Sequence, residues 1–422
     1  MITAPNGAGK THVLRLIAAA LTMDSRTLFG IDFDKLTLQF DDDTELSYAT
    51  VQDNEPRAAS LVVEASLHGE TELLTIKRPG SLDAADEPPP YLRQVSPNRW
   101  HDMRSDRYLT GEQVAERYES RVNLADHPII ASIVSGERAY LIDTKRLESD
   151  RADFASRGYD QARPGPRASR IRHYLGELQQ KVSAARSESV TAAQSEDLSF
   201  ATRALAAASL SVNENELRRR YARIARTYED LGRNSLSVGH TLMEFPEKTT
   251  PTIRRILHVF FEDMERRQAP LLPVNALVNA LRSVLDTKLS ASGKATGMTE
   301  RGGLRIIGRN GRNVEISRLS SGEQHLVALF TMLLFGAAPN SVVLLDEPEI
   351  SLHAAWKHAF LDDVVRISEL NGLQVIIATH STAIINGRWE LTEELAFSAV
   401  DDHDDDTQEE DSLDLLSEYA NE

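Results

Sequence analysis

The spacing of apolar positions changes along the chain, and the changes mark out its parts. Behind a glycine-containing opening, Val13, Leu14, Ile17 and Leu21 recur at helical intervals, which predicts a helix over Thr11–Thr22. Alternating runs follow at Lys35–Phe40, Glu45–Val51, Ser60–Leu67 and Thr71–Arg78; short polar turns separate them, so an antiparallel subdomain is expected. The proline-rich stretch Glu87–Pro97 is expected to break regular structure, and Ala139–Ile142 reads as a buried strand. Two seams with 4-3-4-3 spacing come next, Ile171–Leu175–Leu178–Val182–Ala185 and Leu217–Tyr221–Ile224–Tyr228–Leu231. Each predicts a helix of about 20 residues, or ~30 Å, and together a short antiparallel pair or coiled-coil arm. Helices over 252–268 and 273–289 and a strand at Leu304–Ile307 follow. The fully apolar runs Val342–Leu345 and Gln374–Ala378 are of buried-strand type, and strands alternating with helices imply an α/β fold with a parallel sheet. There is no internal repeat.

Composition narrows this picture little. The chain has 422 residues and no cysteine, which excludes disulfides and thiolate metal sites. No run of about 18 apolar residues appears, so no membrane span is expected, and with no charged-then-apolar leader a cytoplasmic location is. The net charge of −17 is unevenly spread: residues 401–422 carry 11 acidic side chains and no Lys or Arg. That block reads as a solvated tail, or as one that docks on a basic partner. Residues 151–235 run the other way, with 15 Lys or Arg against 10 Asp or Glu. Arg218, Arg219, Arg220, Arg223 and Arg226 crowd the second seam; they form either a solvated helix face or a patch for nucleic acid or an acidic partner.

Four stretches carry candidate chemistry. The first is Ala4–Thr11, APNGAGKT. Backbone N–H groups can converge on a phosphate where glycine permits positive φ, a helix N-terminus adds its dipole, and a lysine reaches the outer oxygens. Asn6, Gly7, Ala8, Gly9 and Lys10 supply the cradle and Thr11 a hydroxyl for Mg²⁺, with Ala4 where the full pattern asks for glycine. The second is Ser341–Glu349, SVVLLDEPE, a strand that delivers Asp346 for Mg²⁺ and then Glu347 to polarise water. The third is LSSGEQ at Leu319–Gln324. Ser320, Ser321, Gly322 and Glu323 open a helix there, as a capping box, as an anion site, or as both. The fourth is His380 in IIATHS, 34 residues beyond Asp346 at a strand end, where it can bond a γ-phosphate.

In this order the four stretches resemble those of the ABC-type ATPases. LLDEPEISLH followed by IIATHS is similar to the RecF/SMC-related, defence-associated branch, AAA_21-like, which includes ATPase subunits of Septu, PARIS and retron-type anti-phage systems and the overcoming-lysogenization-defect group. AYLIDTKRL at Ala139–Leu147 resembles that branch's Q-loop strand, with Lys145 where glutamine is expected. The resemblance implies an N-terminal head portion over 1–150, a helical arm over 151–250, a C-terminal head portion over 251–397 and an acidic tail over 398–422. It implies a head-to-tail homodimer or higher oligomer. ATP and Mg²⁺ are then sandwiched between Lys10, Thr11, Asp346, Glu347 and His380 of one copy and Ser320–Glu323 of the other. Such a device is a switch as much as a catalyst. Ala4, Lys145 and His353, where transporters carry an aspartate, predict slow turnover. Only Met1–Thr3 precede the loop, which predicts a natural start upstream or a loosely held base. The implied function is a sensor and scaffold ATPase with a separate effector, a nuclease; the alternative is a DNA-repair or chromosome-maintenance ATPase. A transporter subunit is disfavoured by DEPEISLH and the arm. An ATP-locked structural oligomer would be told apart by Glu347→Gln.

Overall fold

The computed structural model describes residues 1–5, 7–52, 59–77, 92–96, 99–103, 107–110, 124–134, 139–143, 166–237 and 242–395. Its strands are β1 (Ile2–Thr3), β2 (Lys35–Gln39), β3 (Glu45–Gln52), β4 (Ala59–Leu67), β5 (Glu70–Lys77), β6 (Leu92–Ser96), β7 (Arg99–Asp102), β8 (Arg107–Thr110), β9 (Ala139–Asp143), β10 (Ala295–Met298), β11 (Leu304–Ile307), β12 (Asn313–Val314), β13 (Val342–Asp346), β14 (Gln374–Ala378) and β15 (Glu393–Glu394). The helices are α1 (Lys10–Thr22), α2 (Ser25–Phe29), α3 (Pro128–Ile133), α4 (Pro166–Ala206), α5 (Glu214–Arg233), α6 (Pro251–Gln268), α7 (Leu271–Leu289), α8 (Ser321–Thr331), α9 (Ala354–Lys357), α10 (Phe360–Asn371) and α11 (Thr382–Ile385).

The centre is a five-stranded parallel sheet of order β15-β1-β14-β13-β9. Its apolar runs are continuous because both faces are covered. Leu344 and Ala378 meet Leu14 of α1 on one face, whereas Val343, Leu345 and Ile377 join Leu326, Phe330, Phe360 and Val364 of α8 and α10 in the larger core on the other. Successive residues of a strand point to opposite sides, so one five-residue run serves both layers. The four expected antiparallel runs form the sheet β2-β3-β4-β5. Tyr48 ties that sheet to α1: its buried hydroxyl donates to the Ala20 carbonyl at 2.7 Å, and burial pushes the phenol well above its ordinary pKa.

Three findings depart from the sequence reading. Leu92–Ser96, inside the proline-rich stretch, is a strand that pairs with Arg99–Asp102 in the small sheet β6-β7-β8; the prolines flank it rather than interrupt it. The first arm helix is also twice the expected length. α4 spans 41 residues, or about 60 Å, because no glycine or proline follows its seam to stop it.

Nor do the two seams close on each other along their length. Ile171, Leu178, Val182 and Ala185 are buried in the core of the head, which Leu231 joins at the end of the second seam, whereas Leu217 and Ile224 pack with Leu257 and Phe261 of α6. The distal half of α4 is instead held to α6 by charge: Arg203 pairs with Asp263 and with Glu196 at 2.7 Å, and Arg266 reaches Glu196 at 2.9 Å. The insertion is thus a lobe in which α6 lies against both α4 and α5.

Candidate functional site

The opening loop takes the shape its glycines permit. Gly7 and Gly9 have φ of +86° and +83°, and Gly9 caps α1. Ala4 is not among the positive-φ residues, and its side chain is buried, so the missing glycine is not required for backbone conformation. Lys10 is buried, and its ammonium donates to the carbonyls of Ala4 and Pro5 at 2.7 and 3.1 Å. Those bonds hold the loop closed upon itself and keep the cation against its first residues. Asn6 and Lys145 lie outside the described residues, as does the acidic tail.

Strand order brings the distant stretches to this loop. β13 and β14 are parallel neighbours in register, Asp346 beside Ala378, and β1 pairs with β14. Their carboxyl ends therefore open on the same edge as the loop, the place where ligands of such sheets sit. Thr11 donates its hydroxyl to Asp346 Oδ2 at 2.8 Å, across 335 residues of sequence. Beyond the strand, Glu347 adopts a left-handed conformation, φ 46° and ψ 56°, which costs a non-glycine residue roughly 1–2 kcal/mol. Its N–H donates to Ala378 O at 2.8 Å, which helps to hold the turn. The turn sets Glu347 Oε1 at 3.5 Å from Nδ1 of His380.

Thr11 of the first stretch thus meets Asp346 of the second, and Glu347 of the second meets His380 of the fourth. A polyphosphate and a divalent cation fit what is present: two positive-φ glycines, a buried cation, and a hydroxyl–carboxylate pair. Among the described residues no cluster of three or more His, Cys, Asp or Glu is poised to hold a metal. A cation here would therefore rest on Thr11, Asp346 and the phosphates, the sparse arrangement that Mg²⁺ accepts.

The third stretch stands at the N-terminus of α8, with Ser320 and Ser321 exposed. Its capping box is complete: Ser320 N–H donates to Glu323 Oε2 at 2.9 Å and Glu323 N–H to Ser320 Oγ at 3.3 Å. Glu323 is also held by Lys294 and Ser292, each 2.8 Å from Oε1. Burial pushes its carboxyl up, but the bonds from Lys294, Ser320 and Ser292 outweigh this and leave it below the usual carboxylate range. His353 has a local role, its Nδ1 accepting from Ala355 N–H at 3.3 Å to cap α9.

A family model described as "AAA domain, putative AbiEii toxin, Type IV TA system" matches residues 5–386. The chain belongs to this AAA domain family. The match runs from the phosphate loop past His380 and takes in the helical lobe. Among solved structures, the chain is similar to the Smc head domain with an extended coiled coil bound to the C-terminal domain of ScpA, from Pyrococcus furiosus. Identity there is 14%, with 91% of this chain and 84% of that one covered and a TM-score of 0.31. The SMC head domain from Thermotoga maritima is 11% identical over 91% of this chain and 81% of that one, with a TM-score of 0.29. No curated protein matches.

Sequence reasoning missed several groups around this AAA domain's site. Glu349 is buried, accepts the Thr379 hydroxyl at 2.6 Å, and lies 3.6 Å from His380 Nδ1. A second acidic residue two positions after Glu347 was the available signal. Lys294 and Ser292 gave none, because neither stands near Glu323 in the chain. On the arm, Arg220 is bidentate to Glu265 at 3.0 and 2.6 Å, and Arg218 pairs with Glu214 at 2.8 Å. Those two are structural partners, and Arg223 also reaches Glu265 at 3.6 Å although it is exposed; with Arg219 and Arg226 it forms an exposed row at i, i+4 and i+7.

Proposed function

We propose that this protein binds ATP with Mg²⁺ at a composite site formed head to tail by two copies and hydrolyses it slowly. It then acts as the sensor and scaffold of an anti-phage defence system whose effector is a separate protein, a nuclease. The observation that carries the nucleotide reading is the 2.8 Å bond from Thr11 to Asp346, made beside the buried Lys10 and the Glu347–His380 pair.

In this reading the loop N–H groups and Lys10 bind the phosphates, and Thr11 and Asp346 hold the metal, which neutralises charge on the transferring group when bound. Glu347 orients and deprotonates water, His380 contacts the γ-phosphate, and Ser320–Glu323 of the second copy close the site. The test is ATP binding and turnover by the full chain: Lys10→Ala should weaken binding, and Glu347→Gln should keep it while losing turnover. An intact protein that binds no ATP would sink the reading. The family's description raises a toxin by itself; expression of this chain alone is expected to leave growth unaffected, measured as colony formation.

A second reading, a DNA-repair or chromosome-maintenance ATPase, is favoured by the 41-residue α4 and by the exposed Arg219, Arg223 and Arg226. Stimulation of turnover by broken DNA ends, lost in the triple alanine variant of those arginines, would support it over the first.

A further inference from the structure

We propose that Glu349 is the positioning residue for His380: its carboxylate holds the imidazole through Nδ1, so that Nε2 faces the nucleotide and Glu347 stays available to water. The proposal rests on the ATPase reading above.

The two carboxylates beside His380 differ in how firmly they are fixed. Glu349 is buried, and its Oε1 accepts the hydroxyl of the fully buried Thr379 at 2.6 Å. The Thr379 oxygen in turn accepts Ser381 N–H at 3.0 Å, and Thr379 N–H donates to Ile2 O at 3.1 Å. Glu349 is therefore fastened to the ends of β14 and β1. Glu347 sits on a left-handed turn at the open edge, with its side chain 18% exposed against 4% for Glu349.

Nδ1 lies 3.5 Å from Glu347 Oε1 and 3.6 Å from Glu349 Oε1, just beyond hydrogen-bond length to both. A small turn of the ring decides which carboxylate accepts. A base that takes a proton from water works against itself if the same oxygen is engaged by Nδ1–H. A second carboxylate behind the ring removes that competition. Glu349 also has reason to accept: its Oε2 is buried and has no hydrogen-bond partner among the described residues, and burying a carboxylate is costly unless donors meet it. With Nδ1 turned inward, Nε2 is the nitrogen that the half-exposed ring leaves for a ligand.

The contact can be tested by ¹⁵N NMR of the full-length protein labelled at histidine, the His380 signals identified by their loss in His380→Asn. Wild type is expected to show Nδ1 protonated and hydrogen-bonded. In Glu349→Gln an amide donor stands beside the ring, and the Nδ1 signal should move to that of an acceptor; Thr379→Val, which keeps the carboxylate, should give a smaller displacement of the same signal. In turnover assays Glu349→Gln should lower kcat by about tenfold or more while KM for ATP stays within about twofold, as expected when a reacting group is misaligned. Glu349→Asp should recover part of the loss. Unchanged His380 signals in Glu349→Gln overturn the proposal, as does a rise in KM with kcat intact. Should Glu349→Gln not fold, Thr379→Val decides by the same signal. A wild-type protein without ATPase activity would overturn the function proposed above, whereas the NMR result on nucleotide-free protein would still decide the contact.

Discussion

Lys10 shows what one side chain does in this site before any ligand arrives. Its ammonium satisfies the carbonyls of Ala4 and Pro5, so the loop is shaped by the same cation proposed to meet phosphate. Lys10→Ala removes a charge-assisted contact worth roughly 1.5–3 kcal/mol, and ATP affinity should fall about 10- to 100-fold by calorimetry. Glu347→Gln keeps those contacts and loses the base; turnover should drop by about 10²–10⁴-fold with ATP still bound, seen by single-turnover kinetics. At this scale the sequence was informative where the chemistry is local. Gly7, Gly9, Lys10 and Thr11 are neighbours in the chain, and Asp346 and Glu347 close an apolar strand. Glu349 was less legible, because its meaning depends on Thr379 and His380 meeting it across the sheet edge.

At the scale of elements, α8 is fixed at its N-terminus by more than its own cap. Glu323 takes donors from Ser320 within the helix and from Lys294 and Ser292 outside it. Its depressed pKa sets the sign of a pH effect: the stabilisation is complete above the unfolded carboxylate range and is lost as pH falls through the lower folded value. The stability difference between wild type and Glu323→Gln in urea should therefore be constant near neutrality and shrink below about pH 4.5. The lobe gives a second case. Ile224 is buried against α6, and Ile224→Ala should cost about 2–4 kcal/mol, visible as faster proteolysis within 214–268. The seam containing Ile224 was readable from its period alone. Its partner was not, because period identifies a buried face without saying what covers it. Likewise α4 continued past its seam through residues that merely tolerate a helix.

For the whole molecule, Ser320 and Ser321 are exposed on α8, and in the proposed assembly they close the phosphate site of a second copy. Sedimentation velocity should show Glu347→Gln shifting to dimer on ATP addition and Ser321→Arg remaining monomeric, since arginine there obstructs the interface while leaving the Ser320 cap intact. The pairing of β1 has one further consequence, for the order in which the protein can be built. β1 lies between β14 and β15, and the Met1 amino group donates to Leu391 O at 2.6 Å, 390 residues away. A ribosome working at ~5–20 residues per second needs roughly 20–70 s to go from the phosphate loop to the strands that flank it. During that interval β2–β5 and the helical lobe have their own partners at hand, but the loop has no sheet edge to rest on. Nucleotide affinity should thus arise last, and in one step, when residues 374–394 emerge.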